Sequence, residues 1–200
     1  VTIAVDTYFT VVPSNFLSKA HVTYAGQEYF FYITTLGQLR VQVFGSSLSY
    51  TIATNVKQVQ VLPASDHVNV YYLIGRTVYY VAFKQLGSGL SPVSTGVTDA
   101  QNFSVFYNQN TAPPCYILMN DDGVHHILFV AVDAAFQTLL AAPLQIYNNA
   151  IDQTFYVFGP RIVVHPQDST RLTVLISRQT IATGAIEVGM YETLIPGVGS

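Results

Sequence analysis

Tryptophan is absent from these 200 residues, methionine occurs twice and cysteine once. The lone Cys115 excludes an internal disulfide framework and any metal site built from several thiolates. Charge is also scarce, at 10% of the chain, against about 25% in an average soluble domain. Eight basic and eleven acidic residues leave a net charge of -3. No basic face exists to neutralise a row of phosphates, so no nucleic-acid partner is expected. Glu28 is the only glutamate before Glu187, which leaves little to clothe a solvent-facing helix. Apolar runs stop far short of the roughly 18 to 20 residues that a membrane helix requires, and no membrane insertion is expected. The run at 127–132, for example, is ended by Asp133. No signal or lipidation motif stands at the amino terminus. A chain opening on Val1 is expected to be processed or cut from something larger.

What is present suits a pleated, half-buried surface. Half the chain is hydrophobic, which excludes intrinsic disorder, and Tyr (14) and Phe (12) join abundant Val, Ile and Thr. Short runs such as HVNVYYLIG (67–75), TVYYVAF (77–83) and RLTVLIS (171–177) are bounded by Gly, Pro, Asp or Ser. Several are apolar on both faces, as strands packed between layers are. The segment 132–142 is the one stretch that could be helical. The reading is all-β.

A repeat organises these runs. Four hairpin-like segments occupy 28–44, 68–83, 115–132 and 161–177, turning at Gly37, Gly75, Gly123 and Asp168. Each is preceded by a candidate strand (20–26, 58–64, 102–108, 154–160) and followed by another (48–54, 91–97, 136–142, 185–191). The units run over 18–56, 57–98, 102–146 and 154–195. The strand 2–12, within an opening segment 1–16, is expected to close the fold by pairing beside 185–195. Four antiparallel strands recurring every 40 to 50 residues or so mark a blade.

These units resemble the blades of β-propeller proteins, including lectin-like and phage-tail propellers. The resemblance spans nearly the whole chain and is one of pattern, without a WD, kelch or Asp-box signature. It implies a single domain of about four four-stranded blades. A β-sandwich or jelly roll is the competing architecture, since it too yields short strands at regular spacing.

Candidate chemistry is sparse. Asn120-Asp121-Asp122-Gly123 could offer two carboxylates to a cation, but Asp-Gly is a preferred hairpin turn and the spaced oxygens of a calcium loop are missing. His125 and His126 are neighbours on a strand and point to opposite faces, so they cannot chelate one metal. His21, His67 and His165 come from other units. Cys115 follows Pro113-Pro114 with no base beside it and reads as buried and inert. Glycoside hydrolysis needs two carboxylates across a pocket, whereas Asp66, Asp99, Asp121, Asp122, Asp152 and Asp168 sit at turns, where Asp serves backbone geometry. Sialidases are propellers with an arginine triad, and Arg40, Arg76, Arg161, Arg171 and Arg178 lack that family's motifs. Asn102-Phe103-Ser104 is a glycosylation sequon.

With no linear catalytic motif, the expected function is a non-enzymatic structural or recognition module, a virion component such as a phage-tail or receptor-binding part. It is expected to be extracellular or in the virion, without cofactor or metal, with other subunits of an assembly and cell-surface glycans as partners. The alternatives are a secreted glycan-binding lectin or adhesin and a sialidase-like glycoside hydrolase.

Overall fold

Strands begin where β-branched and aromatic residues cluster and end at Gly, Asn or Asp. The computed structural model describes residues 16–86, 90–148, 155–164, 168–180 and 182–198. The proposed closing strand 2–12 lies outside them. β1 (Phe16–Tyr24), β2 (Gln27–Thr34), β3 (Leu39–Val43) and β4 (Ser49–Ala53) form one sheet in that order. β5 (Val56–Pro63), β6 (Val68–Ile74), β7 (Thr77–Phe83) and β8 (Val93–Ser94) form the second. β9 (Asn102–Asn108), β10 (Cys115–Asp121), β11 (His125–Ala131) and β12 (Leu144–Asn148) form the third. β13 (Phe155–Val164), β14 (Arg171–Thr180) and β15 (Ile186–Leu194) form the fourth, of three strands among the described residues. Strands consecutive in the chain are neighbours in every sheet, the antiparallel up-and-down order of a blade. The protein is all-β, of the β-propeller class. No helix among the described residues is long and apolar enough to cross a membrane.

Two segments differ from the sequence expectation. Residues 136–142 form no strand, and only an isolated bridge joins Ala131 to Leu139. The Asp133 carboxylate accepts the backbone N–H groups of Gln137 (3.0 Å) and Thr138 (2.6 Å), and Phe136 adopts φ 58 to bury its ring. A local side-chain cap has displaced the ladder. The sheet's fourth strand is instead Leu144–Asn148. In the last sheet, Gly159-Pro160 read as a strand boundary. It falls at a register shift inside the single strand β13, between Phe158 and Arg161, so two expected strands are one. A glycine and a proline within a strand mark a bulge as readily as an end.

The chain forms two compact units, residues 1–75 with 79–93, and residues 76–78 with 94–200. In the first, Phe31 and Tyr29 meet Phe83 edge-on at 5.3 and 5.2 Å, within a core shared with Val41, Val70 and Tyr72. In the second, Cys115, Ile117 and Met119 of β10 and Leu128 and Val130 of β11 pack with Leu172 and Val174 of β14. One face of the third sheet therefore lies against one face of the fourth. Asn108 reinforces this, its Nδ2 donating to the Ser169 carbonyl at 2.9 Å.

Candidate functional site

Register builds the site at one end of the third sheet. Asp121 on β10 stands opposite Asn102 on β9 and His126 on β11, and the next rung sets Met119 between Ser104 and Leu128. Cross-strand partners share a face, so Asn102, Asp121 and His126 make a polar row beside an apolar one. Asn102, Phe103, Ser104, Met119 and Asp121 line a small, shallow recess.

The turn fixes both aspartates. Asp121 Oδ1 accepts the Gly123 N–H at 2.8 Å, and Asp122 Oδ1 accepts those of Val124 (2.7 Å) and His125 (2.6 Å). Gly123 is required here: φ is +92 and a Cβ would stand 2.3 Å from the Gln101 amide. Each aspartate also meets its own histidine. His125 Nδ1 lies 2.9 Å from Asp122 Oδ2, and His126 Nδ1 lies 3.7 Å from Asp121 Oδ1. The opposite orientation of the two imidazoles thus yields two Asp–His pairs, neither of them a chelate. Arg76 donates from Nη2 to the carbonyls of Asp99 (3.0 Å) and Asp122 (3.3 Å), holding the hairpin tip against the preceding loop.

The two pairs differ electrostatically. Burial opposes the charge on Asp122, but hydrogen bonds from the His125 backbone and ring and from the Val124 N–H outweigh it and hold the carboxyl below its ordinary value. His126 is 2% exposed. Its burial pushes the imidazole pKa down, against the pull of Asp121 and Asp122 and with the push of His125. The row therefore presents a neutral imidazole beside the recess carboxylate. Asn120, on the other face, donates to the Thr98 carbonyl at 3.3 Å, while its buried Oδ1 has no hydrogen-bond partner among the described residues.

The remaining sequence candidates are dispersed. Asp66 and His67 are 2.7 Å apart, His67 Nε2 lies 2.7 Å from Asn69 Oδ1, and Tyr80 donates to that same oxygen at 2.9 Å. Hydrogen bonding to His67, foremost, holds the Asp66 carboxyl low. His21 sits 3.7 Å from Glu28 on the surface. Cys115 is fully buried beside Thr111, and burial raises its thiol pKa, which leaves it unreactive. Arg40 reaches the Ser49 carbonyl at 3.5 Å, and Arg171 pairs with Asp168 at 3.1 Å. Arg161 and Arg178 lie on β13 and β14. Asp152 and His165 fall outside the described residues. Among those described, no group of three His, Cys, Asp or Glu residues is placed to hold a metal. The sequon residue Asn102 lies in the recess row rather than on a loop.

No protein-family model matches this chain, and no curated protein matches it. Among solved structures, an endo-arabinase from Bacteroides thetaiotaomicron is similar over 92% of this chain and 81% of its own, at 8% identity and a TM-score of 0.57. The Bacteroides ovatus xyloglucan PUL GH43B is similar over 94% of this chain at 12% identity and a TM-score of 0.57, and this chain spans 40% of its length. At such identities the likeness is one of fold. It nonetheless overturns the expectation of a non-enzymatic virion component. The neighbours in fold are glycoside hydrolases, and nothing in the likeness points to a virion or phage tail. The expectation failed for a physical reason. It took the lack of a linear motif as a lack of chemistry, whereas a sheet gathers its polar groups across strands, as Asn102, Asp121 and His126 are gathered here.

Proposed function

We propose that the protein is a glycoside hydrolase of β-propeller architecture acting on a polysaccharide, with Asp121 as the carboxylate that faces the sugar. The observation carrying this reading is the fold shared with the endo-arabinase over 92% of the chain. The recess supports it in kind. Asp121 accepts the Gly123 N–H through Oδ1 and lines the recess. Asn102 and Ser104 beside it offer an amide and a hydroxyl, the groups that read sugar hydroxyls. His126, whose burial disfavours the charged imidazole, stands 3.7 Å from Asp121 and adds no competing positive charge at neutral pH. Of the two carboxylates that glycoside cleavage uses, Asp121 takes the basic role, as nucleophile or as the base that activates water, and the acid that protonates the leaving oxygen comes from outside the described lining of the recess.

Reducing-sugar release from arabinan and xyloglucan, and from chromogenic arabinosides and xylosides, tests the proposal. The wild type is expected to turn over at least one of them, and Asp121→Asn to lose about 100-fold or more. Absence of release from every substrate between acid and mildly alkaline pH overturns it, as does an undiminished Asp121→Asn variant.

A further inference from the structure

Antiparallel register sets His126 and Asp121 on one rung and one face of the third sheet. His126 Nδ1 lies 3.7 Å from Asp121 Oδ1, too far for a hydrogen bond but close enough for a charge on one group to act strongly on the other. The two side chains are 3% and 17% exposed, so water and salt screen that interaction poorly. Burial disfavours the charged ring, the carboxylates of Asp121 and Asp122 favour it, and His125 opposes it. On the elements around the ring, Asn102 of β9 is uncharged and Tyr147 of β12 is its register partner. The fourth sheet turns Leu172 and Val174 to this face of the third. Register continues that face of β14 to Arg178, opposite Glu187 on β15, and sets Tyr191 opposite Val174. His125 lies on the other face and pairs with Asp122 at 2.9 Å. His126 alone of the two is paired with the carboxylate that lines the recess.

We infer that His126 is the acid-sensing partner of Asp121: in acid solution its ring takes up a proton, and the positive charge beside the carboxylate switches the recess off reversibly. This rests on the hydrolase reading, in which Asp121 is the basic carboxylate. Two effects act in the same direction. A cation beside the carboxylate stabilises its charge and makes Asp121 a weaker base and nucleophile. The transition state of glycoside cleavage resembles an oxocarbenium ion, and a second positive charge behind the carboxylate opposes its formation. A neutral His126 does neither.

Two measurements test the switch. The first is the pH dependence of kcat/KM on a glycoside that the protein cleaves, for the wild type and for His126→Gln, whose amide takes up no proton. Where the wild type keeps about a tenth of its neutral-pH value, the variant should keep several-fold more. The wild-type loss should reverse on return to neutral pH, with the far-ultraviolet dichroism unchanged throughout. An acid limb that stays where it was in His126→Gln, or a loss that appears only with unfolding, overturns the inference. The second measurement needs neither a substrate nor a change at position 126. Nuclear magnetic resonance of the His126 ring follows its titration in the wild type and in Asp121→Asn. Removing the carboxylate's charge should move the ring's midpoint to lower pH, and an unmoved midpoint overturns the inference. A moved midpoint in a protein that cleaves no glycoside refutes the hydrolase reading instead and leaves the coupling of the pair standing.

Discussion

Tyr72 and Tyr80 carry the same hydroxyl into opposite circumstances. Tyr72 is fully buried with its ring 5.9 Å from Tyr79, and its hydroxyl has no partner among the described residues. Burial, with Tyr79 adding to it, pushes its pKa up to about 12. Tyr80 donates to the buried Asn69 amide oxygen at 2.9 Å. Removing an unsatisfied hydroxyl relieves a desolvation cost, whereas removing a satisfied one forfeits a hydrogen bond. Tyr72→Phe is therefore expected to raise unfolding stability by roughly 1 kcal/mol and Tyr80→Phe to lower it by a similar amount. Urea unfolding midpoints decide this, and two shifts of the same sign would contradict it. The two Asp–His pairs make a second prediction at this scale. Asp122 titrates lower when folded than when unfolded, so its stabilisation is complete above the ordinary carboxylate value of 3.8 and is lost as pH falls through the lowered one. His126 is also lowered, but a buried neutral imidazole loses stability from higher up. The loss begins as pH falls below the ordinary 6.5 and is complete beneath the folded value. His126→Phe should flatten the melting-temperature profile in mildly acid solution, since burial is the main cause of the lowered value and the charges of Asp121, Asp122 and His125 act on it second. Asp122→Ala should cost roughly 1–3 kcal/mol at neutral pH, a difference that shrinks in strong acid. A His126→Phe profile as steep as the wild type below pH 6.5 would falsify the first assignment.

Hairpins are where sequence and structure agree most closely, because their turns are written in residue types that few other conformations want. Gly75, between β6 and β7, has φ +62 and nothing within 4 Å of a built Cβ, so conformation alone requires it. Gly75→Ala should cost about 1–2 kcal/mol, and Gly75→Asn less, since Asn tolerates the left-handed region. Thermal or urea unfolding checks the order, and an Asn variant weaker than the Ala variant would count against it. The same local logic explains what was illegible. Nothing in residues 136–142 announces that Asp133 will take two backbone donors and strip the segment of its ladder. Gly159-Pro160 reads as an end because the sequence does not say whether a partner strand continues past it, and β14 does. The site was half legible. Asp121-Asp122-Gly123-Val124-His125-His126 is nearly palindromic about its turn, and antiparallel register predicts an acid opposite each histidine. Missing from the sequence was the depth of burial that separates His126 from His125, which comes from packing against the rest of the unit.

At the scale of the whole molecule, net charge is small, so salt has little long-range repulsion to screen. Neither the exposed apolar row of β15 nor the recess could be read as a surface from sequence. Alternating residues in β15 reveal an apolar face but not which way it points, and that direction is set by Leu172 and Val174 next door.

The period of two that places Asp121 over the recess also constrains how the gene that encodes it can change. Inserting or deleting one residue in β10 while the outer rungs hold would send Asp121 to the far side and bring Asn120 or Asp122 in its stead. Gains or losses of two residues would keep the acid in place. A lineage that preserves this site is thus free to substitute along β10 but not to change its length by an odd number, and descendants that broke this parity would have lost the carboxylate in a single step.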